Sequence, residues 1–304
     1  MSSTSPYRIF GLLCIASVLI WWRVLLATFR LALRNDAYTH ILLILPISIV
    51  LIILERNRQA WKPRPGIRAG SALLGLAVLV GVGGLRWGRA DIFAGDVRLS
   101  LEMLAVVAWW IGSFVGCFGG RIFRRCVFPL LFLLWLVPMP EFALNRTVEF
   151  LQAGTVSVAR VLFTAAGVPV TQEGTALTIP GVTAEVAQEC SSVRSSMMLV
   201  VSSMVMSYLL LRSFWGRAVV MLAAIPLSLA KNGLRVFTLA VLGAYVDRGF
   251  LTGRLHHQGG VLFLGASLAG VLLLIWLCGW IERKAARLLV REQVPRLSAS
   301  GNLV

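Results

Sequence analysis

The sequence predicts an all-α integral membrane protein of about eight transmembrane helices, with a short extracytoplasmic amphipathic helix and a β-like segment. Three observations predict it. Of the 304 residues, 58% are hydrophobic and the mean hydropathy is +0.83, beyond the composition of soluble domains. The apolar residues gather into runs close to the ~20 residues that a bilayer crossing needs. The charges, a net +16 from 29 Lys and Arg against 13 Asp and Glu, fall in the gaps between those runs. A soluble chain this basic would suggest nucleic acid. Here topology accounts for the charge, and no nucleic-acid partner is expected.

The runs are Ile9–Phe29, Ile41–Leu54, Ser71–Leu85, Leu99–Phe118, Cys126–Val137, Ser191–Leu211, Ala218–Tyr245 and Gly260–Ile281. The second, third and fifth are short and extend into their flanks. No cleavable signal peptide is expected, because Ile9–Phe29 lacks a small-residue cleavage site and further spans follow it. Every second gap is strongly basic. The first of these holds Arg56, Arg58, Lys62, Arg64 and Arg68, the next Arg121, Arg124 and Arg125, then Arg212 and Arg217, and last the tail with Arg283, Lys284, Arg287, Arg291 and Arg296. Such gaps belong in the cytoplasm, so both termini are expected there. Arg30 and Arg34, after the first run, do not fit the alternation. The whole chain, 1–304, is read as one transmembrane domain with its catalytic part at about 138–281 and a cytoplasmic tail at 282–304, frayed from Ser298.

The longest gap on the other side runs from Pro138 to Glu189. Pro138-Met139-Pro140 ends the fifth span, since proline stops a helix. From Phe142 to Ala166 apolar residues recur at helical spacing with Asn145, Arg146, Glu149 and Gln152 between them, which predicts an amphipathic helix at the outer interface. Gly167–Val170, Thr175–Ile179 and Pro180-Gly181 predict short strands and turns.

This segment delivers the chain to Gln188-Glu189-Cys190-Ser191-Ser192-Val193-Arg194, where water ends and hydrocarbon begins. Three features favour a reactive thiolate at Cys190. A helix N-terminus offers partial positive charge and unpaired N–H groups. Arg194, four residues on, shares its helix face. The boundary position is wet enough for a substrate to arrive. Such surroundings lower a thiol pKa and raise its reactivity. The plainer reading makes Cys190 a small packing residue. Cys14, Cys117, Cys126 and Cys278 lie in or beside apolar runs without CxxC spacing, so neither a disulfide framework nor a zinc site is expected. No cofactor is implied.

Two further groups stand where hydrocarbon penalises charge. Lys231-Asn232-Gly233-Leu234-Arg235 interrupts the seventh span, and Asn232 and Arg235 share a face. The alternative for Lys231 and Arg235 is snorkelling or structural pairing. His256 and His257 open the eighth span. Adjacent histidines diverge on a helix, so a two-ligand metal site is disfavoured and proton transfer by one of them is more economical. A solvated interfacial histidine is the plain alternative. At ~1.5 Å per residue, Cys190 lies about 33 Å above Arg212, Arg235 about 27 Å above Arg217 and His256 about 39 Å above Glu282. With helix tilts and the placing of helix ends allowed for, the three heights agree to about 12 Å. In the expected mechanism Cys190 attacks an acyl carbon. Arg235 and N–H groups near Ser191 and Ser192 hold the oxyanion, His256 carries the proton, and Asn232 orients one of these groups.

A Cys-Ser pair opening one late span, Asn-x-x-Arg in the next and a His at the start of the last resemble the exosortase/archaeosortase family. Asp36-Ala37-Tyr38-Thr39-His40 is similar to that family's early Asp…Tyr-x-His element, and Pro138-Met139-Pro140, Gly167-Val168-Pro169 and Pro180-Gly181 fall where it has such residues. The resemblance implies a bacterial inner-membrane cysteine peptidase and transpeptidase with Cys190, Arg235 and His256 as catalytic residues, its site facing the periplasm. It implies substrates that are exported proteins with a C-terminal sorting signal: a short motif such as Pro-Glu-Pro, a transmembrane helix and a basic tail. It also implies association with exopolysaccharide genes. The acceptor of the cleaved chain is open. Two departures from the family pattern are Ser192, where the family has glycine, and the paired His256-His257. His256 is preferred because Gly260 follows at i+4.

The rival class is a non-catalytic transporter or scaffold component of exopolysaccharide export, in which Lys231 and Arg235 would line a pathway. It would place polar residues at midplane on several spans, whereas here they concentrate on three late ones. A metal-dependent hydrolase is disfavoured by the lack of an i, i+4 ligand pair.

Overall fold

The computed structural model describes residues 5–87, 95–185, 193–247, 249 and 254–300. The chain divides into two compact units, Met1–Arg146 and Thr147–Val304. Among the described residues, six helices are long and apolar enough to cross a membrane, and two bent pairs would bring the number to eight. It is an all-α multi-pass membrane protein with one small sheet.

In the first unit, α1 (Pro6–Ile20) runs against α5 (Gly95–Phe118). The indole of Trp109 donates to the Leu13 carbonyl at 3.0 Å and that of Trp110 to Ser17 Oγ at 2.7 Å. The expected first span, Ile9–Phe29, is not one helix. The chain breaks at Trp21, and α2 (Trp22–Arg34) leaves at 74°. The charge pattern explains the break: carried straight on, the helix would take Arg23 and Arg30 through hydrocarbon at roughly 2.5–3.5 kcal/mol each. Arg30 and Arg34 thus sit on the bent-away α2 rather than at the end of a straight first span, and they still do not follow the alternation.

A turn of 3₁₀ helix at Asp36–Tyr38, capped by the Asn35 side chain, leads into α3 (Ile41–Arg58). Next comes α4 (Ile67–Trp87), which crosses α5 backbone to backbone. A Cβ added at Gly70 would lie 2.4 Å from the Gly116 Cα, and one at Gly112 3.0 Å from the Leu73 Cβ. Gly112 and Gly116 of α5, spaced by four, and Gly70 of α4 permit this approach, the usual device for packing helices in lipid.

The expected fifth span, Cys126–Val137, is found as one continuous helical element, Val127–Leu136. It consists of α7 (Val127–Phe132), preceded by the short α6 (Gly120–Arg125) and followed by a 3₁₀ turn at Leu133–Leu136. Pro138 and Pro140 then turn the chain by 98° into α8 (Glu141–Ala165). Proline cannot supply the N–H that would continue the helix. The corner is gripped from three sides: Tyr38 Oη donates to the Met139 carbonyl at 2.8 Å, Ser100 Oγ to that of Pro138 at 2.7 Å, and the Glu141 N–H to Asp96 Oδ2 at 2.5 Å.

The second unit carries the rest of α8, three strands and three long helices: α9 (Val193–Leu210), α10 (Phe214–Tyr245) and α11 (Arg254–Ser300). The expected strand at Gly167–Val170 is absent. Instead β1 (Thr171–Glu173), β2 (Ala176–Ile179) and β3 (Val182–Glu185) form an antiparallel meander, with β3 unforeseen. Its turns use Gly174 at φ 60° and Pro180-Gly181 with Gly181 at φ 85°, where glycine alone is unstrained. Leu177, Ile179 and Val182 bury against Val156, Ala159 and Phe163 of α8 and Val236 and Ala240 of α10. A second core joins Leu199, Leu211 and Val220 to Val271 and Ile275 of α11. The last helix runs to Ser300, past the point where fraying was expected.

Candidate functional site

The site is built around α10, which presents two different faces along the same turns. Ser228, Lys231, Asn232 and Arg235 stand at i, i+3, i+4 and i+7 and so share one stripe, while Leu229, Gly233, Val236 and Ala240 share the next. The second stripe is apolar and close-packed. A Cβ on Gly233 would sit 2.5 Å from Val158 Cγ1 of α8, and one on Gly154 of α8 would sit 2.8 Å from the Leu229 methyls. Each helix thus receives a side chain of the other where it has none. Above this contact Val236 and Ala240 take the meander.

The first stripe meets the opening turn of α9. Ser228 Oγ donates to Ser196 Oγ at 2.6 Å, both buried, and one turn higher the Lys231 ammonium donates to Ser195 Oγ. Lys231 and Asn232 are buried and Arg235 is half-buried. A charge at this depth needs a partner, and Lys231 has one in a neighbouring span. Sequence reasoning offered structural pairing for Lys231 as the alternative, and its tie to Ser195 is of that kind. The Ser195 and Ser196 partners were missed. Their signal was there in small polar residues at the start of a span, facing Ser228 and Lys231.

The lower ends of these helices are tied at one level. Glu282 of α11 accepts from the N–H groups of Arg212 and Ser213, at 3.2 and 3.1 Å, in the link between α9 and α10. A carboxylate at the N-terminus of α10 meets the positive end of the helix dipole as well. Arg217 returns two bonds to the Leu211 carbonyl, at 3.0 and 2.7 Å.

Cys190, Ser191 and Ser192 lie outside the described residues. They belong to the stretch between the end of β3 at Glu185 and the start of α9 at Val193. Arg194 is exposed in the first turn of α9. His256 and His257 fall in the first turn of α11, and their side chains lie outside the described part. The third histidine, His40, is a structural residue: it is buried, its Nδ1 lies 3.2 Å from the Ala37 carbonyl, and its ring stands edge-on to Trp135.

Cys14, Cys117, Cys126 and Cys278 are all free thiols, half-buried or buried. At Cys126, in the link between α6 and α7, burial pushes the thiol up to about 11; the nearby Glu55 adds to the effect and Arg125 opposes it. Such a thiol is protonated at neutral pH and a poor nucleophile. Among the described residues, no three His, Cys, Asp or Glu side chains converge as metal ligands would.

Comparison with known proteins finds a family model described as transmembrane exosortase, matching residues 21–277. No curated protein and no solved structure matches the chain.

Proposed function

The chain belongs to the transmembrane exosortase family, and from that premise we propose that it is a membrane-embedded cysteine transpeptidase acting on the C-terminal sorting signals of exported proteins. Cys190 is its nucleophile, Arg235 its electrostatic clamp and His256 its proton carrier. The thiolate attacks the carbonyl carbon of the scissile peptide bond, and negative charge moves onto the carbonyl oxygen. The Arg235 guanidinium stabilises that oxygen. When the C–N bond breaks, His256 gives its proton to the leaving amine, and a thioester remains on Cys190. A second nucleophile, its proton taken by His256, attacks the thioester, the C–S bond breaks, and the Cys190 thiolate and protonated His256 are restored. Asn232, buried beside Arg235, together with Ser191, Arg194 and His257, completes the surroundings of these groups. The site faces the periplasm of a bacterial inner membrane.

The observation that carries this reading is the polar stripe of α10. Its lower members pair with Ser196 and Ser195 in antiparallel order. Going one turn up α10 from Lys231 reaches Arg235, and in the sequence Cys190 precedes Ser195 by five residues. The Glu282 clamp supports it too, because it sets at one level the helix ends from which the three heights were counted.

The test is co-expression with an exported protein that carries a sorting signal. Cys190→Ala should abolish processing, on the order of a thousandfold or more for loss of a nucleophile, with membrane insertion unchanged. Cys190→Ser should fail as well, since a hydroxyl needs a stronger base than a thiol does. Processing that survives Cys190→Ala removes the mechanism.

A further inference from the structure

Helix α2 has three edges rather than two. Val24, Thr28 and Ala32, spaced by four, are buried against the first unit. Trp22, Leu26 and Leu33 fall within an arc of about 40° at 100° per residue and are 53%, 39% and 73% exposed. Arg23, Arg30 and Arg34 occupy a second arc of about 40°, displaced by about 80° from the apolar one, and all three are exposed. Among the described residues, none of the three makes an ion pair. The Arg23 guanidinium lies 5.5 Å from the Trp22 ring centroid, bridging the two exposed edges.

The position of α2 along the first unit is given by its ends. At its start, the Trp21 ring packs on Trp109 and lies beside Gly81 and Ala105, partway along α5. At its far end, Tyr38 bonds Met139 beside the Pro138 corner, level with the start of α5. With a 74° bend from α1, its 13 residues climb only about 5 Å along the α1 direction at ~1.5 Å per residue. Arg56 and Arg58 stand at the opposite end of α3.

We propose that α2 lies in the plane of the membrane, at the bilayer face opposite Arg56 and Arg58, where its basic edge binds the phosphates of anionic phospholipid headgroups. The apolar edge enters the acyl chains, as in amphipathic helices held 5–10 Å into the headgroup boundary. Guanidinium groups match phosphate oxygens two at a time, and three of them with no carboxylate among them select lipids of net negative charge. The surrounding bilayer is the source of the ligand, not free phosphate.

Two measurements on the full chain in vesicles test this. A spin label on a genetically encoded keto residue at Leu26 or at Leu33 reports depth without touching the native cysteines. An in-plane helix places both labels at the same depth within a few ångströms, whereas a helix continuing across the bilayer separates them by about 10 Å. That separation would overturn the proposal. The second measurement compares retention of phosphatidylglycerol from mixed phosphatidylcholine–phosphatidylglycerol vesicles, by native mass spectrometry, in the parent chain and in the combined R23Q, R30Q and R34Q variant. Each arginine is worth on the order of fivefold in affinity for an anionic surface, so retained phosphatidylglycerol should fall sharply, and free phosphate should not displace it. Unchanged retention overturns the lipid assignment. So does displacement by free phosphate.

Discussion

Cys126 is a buried thiol, and Cys190 is the nucleophile proposed above. Cys126 is buried, and its pKa is raised to about 11, so below that value it is the neutral thiol and the thiolate fraction falls tenfold for each pH unit. Iodoacetamide at pH 7.5, mapped by mass spectrometry, should therefore modify Cys190 long before Cys126. Equal rates would deny Cys190 its activated character. Lys231 supports a second comparison at this scale. Ser195→Ala removes the acceptor of a buried ammonium, while Lys231→Met removes the charge itself. The first should destabilise by about 1–3 kcal/mol or more and the second by less, with the double variant closer to Lys231→Met than to Ser195→Ala. Melting temperatures in detergent decide this, and Ser195→Ala melting at or above Lys231→Met would reverse the argument. Lys231 was conspicuous in the sequence because charge in hydrocarbon is rare. Its partner was not, because serines in spans are common and only the approach of α9 to α10 selects Ser195.

At the scale of elements, α10 is packed on two sides at once. One stripe is bonded to α9 and the other is pressed against α8 with no spare room at Gly233. Gly233→Ala meets the branched Val158, which cannot turn aside, and should cost about 1–3 kcal/mol through overpacking. Gly154→Ala meets only the methyl ends of Leu229, which can change rotamer, and should cost less. Denaturation of both variants in detergent checks the order, and equal losses would mean that α8 and α10 separate easily. Most helices were legible as apolar runs. The exceptions teach more. The break at Trp21 carries neither proline nor glycine, and its only sign was the change from an evenly apolar run to arginines at 23, 30 and 34. The meander was half visible: Gly174 and Pro180-Gly181 announced turns, but Val182–Glu185 is too short and mixed to declare itself without β2 beside it.

At the scale of the whole molecule, the alternation of basic gaps predicts both ends of the chain in the cytoplasm and the meander on the other side. Alkaline phosphatase fused after Gly174 should be active, and the same reporter fused after Val304 should be silent. An active C-terminal fusion would invert the scheme and move the proposed site across the membrane. The break at Trp21 has one more consequence. The 15 residues of α1 measure about 22 Å, against a hydrocarbon layer of about 30 Å. The shortfall falls where α2 turns aside, and a short crossing segment is met by thinning of the leaflet or by flanking residues that reach to the interface. With α2 in the plane of the membrane as proposed, thinning of the bilayer beside α1 is one way to make up that shortfall.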